Sequence, residues 1–267
     1  MRCILASHTD RGKRKKVNQD MVFLRGKEMA SGQKALLAVV CDGMGGFDQG
    51  ELASFEMIHM FSEWLEAELP KLGNAEETEN FEDALFESWE ILLQTAHQMI
   101  RSYGELHGIR LGTTATAMLF MKERYYTVHV GDSRAYQITN QIIRLTQDQN
   151  VANIYGEKVR YLTHARGKKK ASSILLQGIG ASKAVCPVYD SGELRCNAVY
   201  MLCSDGFLNR TDEEELLSRF APAEIKTKEK MKLQTEAFVR MLRERGENDD
   251  ISVLLVRTTC PKRDKEV

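Results

Sequence analysis

The sequence predicts an α+β layered domain. Its patterns run in the order strands, two helices, many strands, two helices and a closing strand. Clustered strand-sized runs with segregated helical stretches are what stacked layers of sheet and helix require. Strict βαβ alternation is absent, which argues against a doubly wound nucleotide fold.

Residues 1–6 (MRCILA) read as a first strand. Residues 7–16 are polar and basic, with RGKRKK at their centre. By itself such a run is a solvated loop; its place just before Asp20 favours an anion-facing role. Residues 21–25 and 35–41 read as strands joined through a Ser31-Gly32 turn. Leu52, Phe55, Ile58, Phe61 and Leu65 recur at helical spacing, and Leu69-Pro70 is the expected stop. After an acidic connector, Phe81, Leu85, Trp89, Leu92, Ala96, Met99 and Tyr103 mark a second helix. Its Trp and Met residues read as core. Residues 104–112 read as a loop.

Residues 113–120 and 125–130 pair as strands across a Lys122-Glu123-Arg124 turn, and 133–138 with 141–145 are expected to continue the meander. Residues 146–177 break the rhythm. They carry ARGKKK and read as an insertion at the end of the sheet. Residues 175–181 (LLQGIGA) return to the core, and 185–189 and 198–203 are further strands. Thr211 followed by Glu214 suggests a capping box. Residues 228–245 form the last long helix, with Met231, Phe238, Met241 and Leu242 inward. Residues 251–256 close the fold.

Five of these runs place an aspartate at one end: Asp20, Asp42, Asp132, Asp205 and the Asp249-Asp250 pair. At Asp42 the apolar run ALLAVVC stops and three of the next four residues are glycine, so backbone can approach a ligand closely. If those ends converge, the carboxylates repel one another unless cations lie between them. An all-oxygen ligand set suits Mg²⁺ or Mn²⁺ better than zinc. Two such ions sharing a carboxylate can ready a water for attack on phosphorus.

Competing chemistries lack their parts. The chain has no G-x-x-x-x-G-K-[ST] loop, no G-x-S-x-G elbow and no H-x-x-x-H spacing. His129 reads as a strand residue of core or surface. Apolar content of 43% supports a sizeable core, and a net charge of −1 offers no global field for nucleic acid or membrane. No apolar run is long enough to cross a bilayer. Six cysteines without a C-x-x-C pair favour reduced thiols and a cytoplasmic setting.

The motifs TDRGKRKKVNQD, VVCDGMGG, GTTATAML, VHVGDSRAY, LTQDQN, QGIGAS, LCSDG and NDDIS stand in one order along nearly the whole chain. In that order they resemble the metal-dependent serine/threonine protein phosphatases of type 2C, in their compact bacterial form. The resemblance implies a four-layer αββα sandwich: two antiparallel sheets flanked by antiparallel helix pairs. It implies one catalytic domain over residues 1–260, a flap at about 150–176 and a charged tail at 261–267. It implies that Asp42 bridges two Mg²⁺ or Mn²⁺ ions, with the Gly43 carbonyl on one. Asp205 and Asp249 would be ligands of the first ion and Asp20 would lie on the side of the second. Asp132 would help bind a third, weaker ion.

Three departures stand out. The position of the family's phosphate-binding arginine is Lys15, flanked by Arg14 and Lys16, so the phosphate role falls to Lys15 or is shared with Arg14. Asn18-Gln19-Asp20 lacks one acid of the usual motif. Asp250 stands where the family has asparagine. The expected activity is hydrolysis of phosphoserine and phosphothreonine in proteins, opposing a serine/threonine kinase, by a cytoplasmic monomer. The competing expectation is a catalytically weak module of the same fold that binds phosphoproteins or a kinase.

Overall fold

A computed structural model of the chain describes residues 2–44, 49–73, 81–156 and 174–259. Among the described residues ten strands form two five-stranded sheets, every pairing antiparallel. One sheet runs β2 (Asp20–Glu28), β3 (Lys34–Asp42), β4 (Ala115–Met121), β5 (Arg124–Val130), β8 (Val188–Glu193). The other runs β1 (Arg2–Asp10), β10 (Ile251–Thr259), β9 (Val199–Cys203), β6 (Arg134–Ile138), β7 (Ile142–Arg144).

The continuous apolar runs are explained by burial on both faces. In β3, Leu37, Val39 and Cys41 join the cluster shared with the helices, while Leu36, Ala38 and Val40 face the second sheet. β9 and β10 divide in the same way: Met201 and Val253 point to one layer, Tyr200 and Leu254 to the other. The first sheet is covered by α1 (Gly50–Ala67), the short α2 (Leu69–Gly73) and α3 (Phe81–His107). The second is covered by α5 (Glu213–Phe220) and α6 (Lys228–Glu244). The result is the expected helix–sheet–sheet–helix sandwich.

Several details differ from the sequence expectation. α1 buries Ala53, Met57, Phe61, Trp64 and Leu65, whereas Phe55 is 53% exposed. On α3, Trp89 is fully buried but Met99 and Tyr103 are exposed, and Leu93, His97 and Ile100 take the inner face. A seven-residue apolar spacing drifts around a 3.6-residue helix, so a long helix changes its inward set along its length. α1 ends at Ala67, just before the expected Leu69-Pro70 stop, and those two residues open the short α2, where a missing N–H costs nothing. α3 also runs through the anticipated loop as far as His107.

β5 and β6 do not continue one meander. They belong to different sheets, and Gly131, at φ +112°, turns the chain from one to the other. The cap of α5 is Asp212, whose side chain accepts the Glu215 N–H at 2.8 Å; Thr211 Oγ1 donates to the Glu215 carboxylate instead. Cys3, Cys41, Cys186 and Cys203 are free, but Cys196 is in a disulfide, against the expectation of reduced thiols throughout. Sequence spacing does not reveal this bond; Cys196 lies just before β9, where its neighbours Arg195 and Ala198 bond Thr258 of β10. Most of the flap, its ARGKKK run and the tail lie outside the described residues; at the base of the flap, α4 (Val151–Tyr155) is capped by Asn150.

Candidate metal centre

Each aspartate of interest sits at or beside one end of a strand. Asp20 opens β2 and Asp42 closes β3, and the two are register partners. Asp132 lies in the crossing between β5 and β6, Asp205 just after β9, and Asp249 just before β10. Because β9 pairs with both β6 and β10, the last three ends are neighbours. Sheet packing brings the two sets together. Strand register therefore converges carboxylates that lie far apart in sequence.

The backbone around Asp42 is held from several sides. Its N–H donates to Thr114 Oγ1 at 2.9 Å, and its carbonyl accepts from Thr114 N–H at 2.9 Å and Thr113 Oγ1 at 3.1 Å. Thr114 Oγ1 and Ser133 Oγ are 2.8 Å apart, which links the Asp42 strand end to the loop carrying Asp132. A Cβ at Gly43 would stand 2.5 Å from the carbonyl oxygens of Gln19 and Gly50, so only glycine lets these segments meet. At Gly206 a Cβ would stand 2.0 Å from the Asp250 carbonyl oxygen.

The electrostatics fit a cation site. Burial pushes the Asp20 carboxyl up to about 6, against the opposing bond from Ser204 Oγ at 2.8 Å. Burial, and then the charge of Asp148, raises Asp132 to about 7. Asp42 is held well above the usual carboxylate range by burial and then by Asp20, Asp205, Asp132 and Asp249. Asp205 is raised likewise, by burial and then by Asp132, Asp249, Asp20 and Glu247. Asp20 Oδ1 is buried with no hydrogen-bond partner. A buried carboxylate oxygen without a partner, amid like charges, is an arrangement that a cation would relieve. The grouping is a convergence and not a closed shell: among the described residues no three His, Cys, Asp or Glu side chains stand in ligating geometry. Oxygen donors of this kind suit Mg²⁺ or Mn²⁺.

The basic loop is anchored from below. Asp250, 1% exposed, accepts the Gly12 N–H at 2.7 Å and the Gln19 N–H at 2.9 Å. Lys15 Nζ pairs with Asp250 at 3.0 Å and with Asp249. Burial works to lower the Lys15 pKa, but the bonds and charges of Asp249 and Asp250 outweigh it and raise it. Arg14 is exposed. His129 is core: Nε2 donates to the Gly131 carbonyl at 3.0 Å, Nδ1 accepts from Thr116 Oγ1 at 2.9 Å, and burial lowers its pKa to about 4.

The family profile of protein phosphatase 2C matches residues 6–247. The chain belongs to the protein phosphatase 2C family. By that membership it is a metal-dependent protein serine/threonine phosphatase. It is 28% identical to the serine/threonine phosphatase stp of Listeria innocua over 97% of each chain. It is 26% identical to PstP of Mycobacterium tuberculosis over 82% of this chain and 39% of that protein. In fold it is similar to the serine/threonine phosphatase of S. agalactiae, with a TM-score of 0.76 and 23% identity over 96% of this chain and 100% of that one. The catalytic domain of PstP, solved with two manganese ions, gives a TM-score of 0.71 at 23% identity over 97% and 99% of the two chains.

In this type 2C phosphatase, sequence reasoning passed over the residues that brace the aspartates. Ser204 donates to Asp20 while its Oγ accepts the Ser252 N–H at 3.0 Å. Glu247, 5% exposed, accepts the N–H groups of Asn248 and Asp249 at 2.7 and 2.8 Å. Arg243 donates to the Asp249 carbonyl at 2.6 Å and to Asp10 Oδ2 at 2.8 Å, tying the last motif to the first. Ser204 stood within a motif; Glu247 and Arg243 carried no sequence signal. The acid missing at Gln19 has a neighbour: Gln19 Nε2 lies 3.4 Å from the Glu51 carboxylate on α1.

Proposed function

We propose that this chain hydrolyses phosphoserine and phosphothreonine esters in proteins at the carboxylate convergence, with Asp42 at its centre. The observation that carries the reading is the register pairing of Asp20 with Asp42, together with the raising of Asp42 by burial and then by Asp20, Asp205, Asp132 and Asp249. Asp20, Asp42, the Gly43 carbonyl, Asp205 and Asp249 would hold two Mg²⁺ or Mn²⁺ ions, and Asp132 a third. When bound, such ions lower the pKa of water toward neutrality and neutralise charge on the phosphoryl group. The protein's own part is to orient. Thr113, Thr114 and Ser133 fix the Asp42 backbone, and Ser204 fixes the Asp20 carboxylate. The basic loop, through Lys15 or Arg14, supplies positive charge toward a phosphate.

The catalytic unit is read as one domain over residues 1–260. In support, β1 pairs with β10, so no cut separates the two ends of the chain. A phosphoprotein substrate implies a serine/threonine kinase as the opposing activity, with no nucleic acid or membrane partner. No helix among the described residues is long and apolar enough to cross a membrane. A monomer in a cytoplasmic compartment completes the reading; the four free thiols support that compartment, and the Cys196 disulfide counts against it.

The test is release of phosphate from a phosphothreonine peptide with Mn²⁺ present and again after chelation. Turnover should require the metal and return when it is restored. Equal rates in both conditions would overturn the assignment. Tight phosphopeptide binding without turnover would favour the binding module instead.

A further inference from the structure

The basic loop holds adjacent cations that the geometry assigns to different tasks. Lys15 is partly buried, and its ammonium is committed to two carboxylates, Asp249 Oδ1 and Asp250 Oδ2. Asp250 is buried and already accepts two backbone N–H groups of the same loop, from Gly12 and Gln19. Removing the ammonium alone would leave that buried carboxylate without a counter-charge. Its own N–H donates to Asp249 Oδ1 at 2.8 Å, so Lys15, Asp250 and Asp249 form one connected unit. The loop is itself a closed turn: Lys15 N–H donates to the Gly12 carbonyl at 3.1 Å, and Arg11 Nη1 donates to the Lys16 carbonyl at 2.7 Å. Lys13 lines a surface groove with Asp10, Glu236 and Arg240. Arg14, next to Lys15, is exposed and has no ion-pair partner among the described residues.

We infer that Lys15 and Asp250 are a matched positioning pair that orients the Asp249 carboxylate toward the metal centre, and that Arg14 is the side chain that meets the substrate phosphate. Lysine is suited to the first task because a compact ammonium can sit between two carboxylates. A guanidinium fork is suited to the second. The two departures from the family pattern, lysine at 15 and aspartate at 250, then explain one another: a buried aspartate needs the cation beside it. The inference rests on the proposed function for the identity of the ligand, but the coupling of Lys15 to Asp250 does not.

Four variants test it: Lys15→Met, Asp250→Asn, the double variant, and Arg14→Met. Three quantities are read: Mn²⁺ affinity by calorimetry, Tm without metal, and inhibition by inorganic phosphate in the Mn²⁺-loaded protein. Lys15→Met should weaken Mn²⁺ affinity about tenfold, the scale expected when a ligand loses its supporting partner, and lower the metal-free Tm. Adding Asp250→Asn should recover most of both losses, with phosphate inhibition unchanged. Arg14→Met should relieve phosphate inhibition about tenfold and leave Mn²⁺ affinity intact. The inference is overturned if Lys15→Met relieves phosphate inhibition at unchanged Mn²⁺ affinity and gains nothing from Asp250→Asn. If Lys15→Met alone does not fold, a folded double variant supports the pair, and a double variant that also fails overturns it. If the wild type binds no Mn²⁺ and cleaves no phosphopeptide, the functional reading fails. The Tm coupling still decides the pair: additive losses overturn it and recovery supports it.

Discussion

A carboxylate raised by other carboxylates is an expensive arrangement, tolerated where charge is to be neutralised from outside. Asp42 and Asp205 carry the most such neighbours, four apiece. Asp42→Asn or Asp205→Asn keeps the shape and removes the charge that a cation needs. Each should lower metal-dependent turnover by several orders of magnitude while the metal-free Tm rises, because one member of a repelling set is gone. Steady-state kinetics beside a metal-free melting curve check this, and near-normal turnover in a metal-replete assay would count against the site.

Among the elements, α5 separates what a motif suggests from what backbone geometry uses. A capping box was legible at Thr211, but the residue with extended backbone at the helix entrance is Asp212. Asp212→Ala should cost about 1 kcal/mol, the usual loss for a missing cap acceptor. Thr211→Val removes only a donor to a half-buried carboxylate that Arg245 also binds, at 2.9 Å through Nη2, and should cost less. Denaturant midpoints of the two variants rank them; a larger loss at Thr211 would contradict the assignment. The same scale explains the misread meander. Strand runs at 125–130 and 133–138 follow one another closely, yet a glycine at positive φ lets the chain change sheets between them.

For the whole molecule, the raised carboxyls set a direction for pH. Asp20 and Asp132 move from 3.8 to about 6 and about 7, so the folded metal-free protein keeps protons that the unfolded chain has released. Their stabilising contribution is full below 3.8 and is lost as pH rises through those values; Asp42 and Asp205 act in the same direction. His129 acts oppositely. Its pKa is lowered from 6.5 to about 4, so its contribution is present above 6.5 and lost as pH falls through 4. Four carboxyls outweigh one imidazole. The metal-free Tm should therefore fall between about pH 5 and about pH 7, and Mn²⁺ at saturation should remove the fall by replacing protons as the neutralising charge. Melting curves across that range with and without Mn²⁺ measure it; a flat metal-free profile would show that the carboxyls are not raised by burial and one another's charge.

By itself the sequence determined the class of the fold, the strand ends that carry aspartate, and the kind of cation such ends could hold. These follow from period and composition, which are local: an apolar run buried on both faces, a glycine where backbone must come close, an acid where a strand stops. Only the tertiary structure decided that β5 and β6 belong to different sheets, that Lys15 is bound to Asp249 and Asp250, and that Ser204 braces Asp20 while Glu247 and Arg243 brace Asp249. Those facts depend on register and on packing between residues as far apart as Asp10 and Arg243. No window of neighbouring residues contains such a distance.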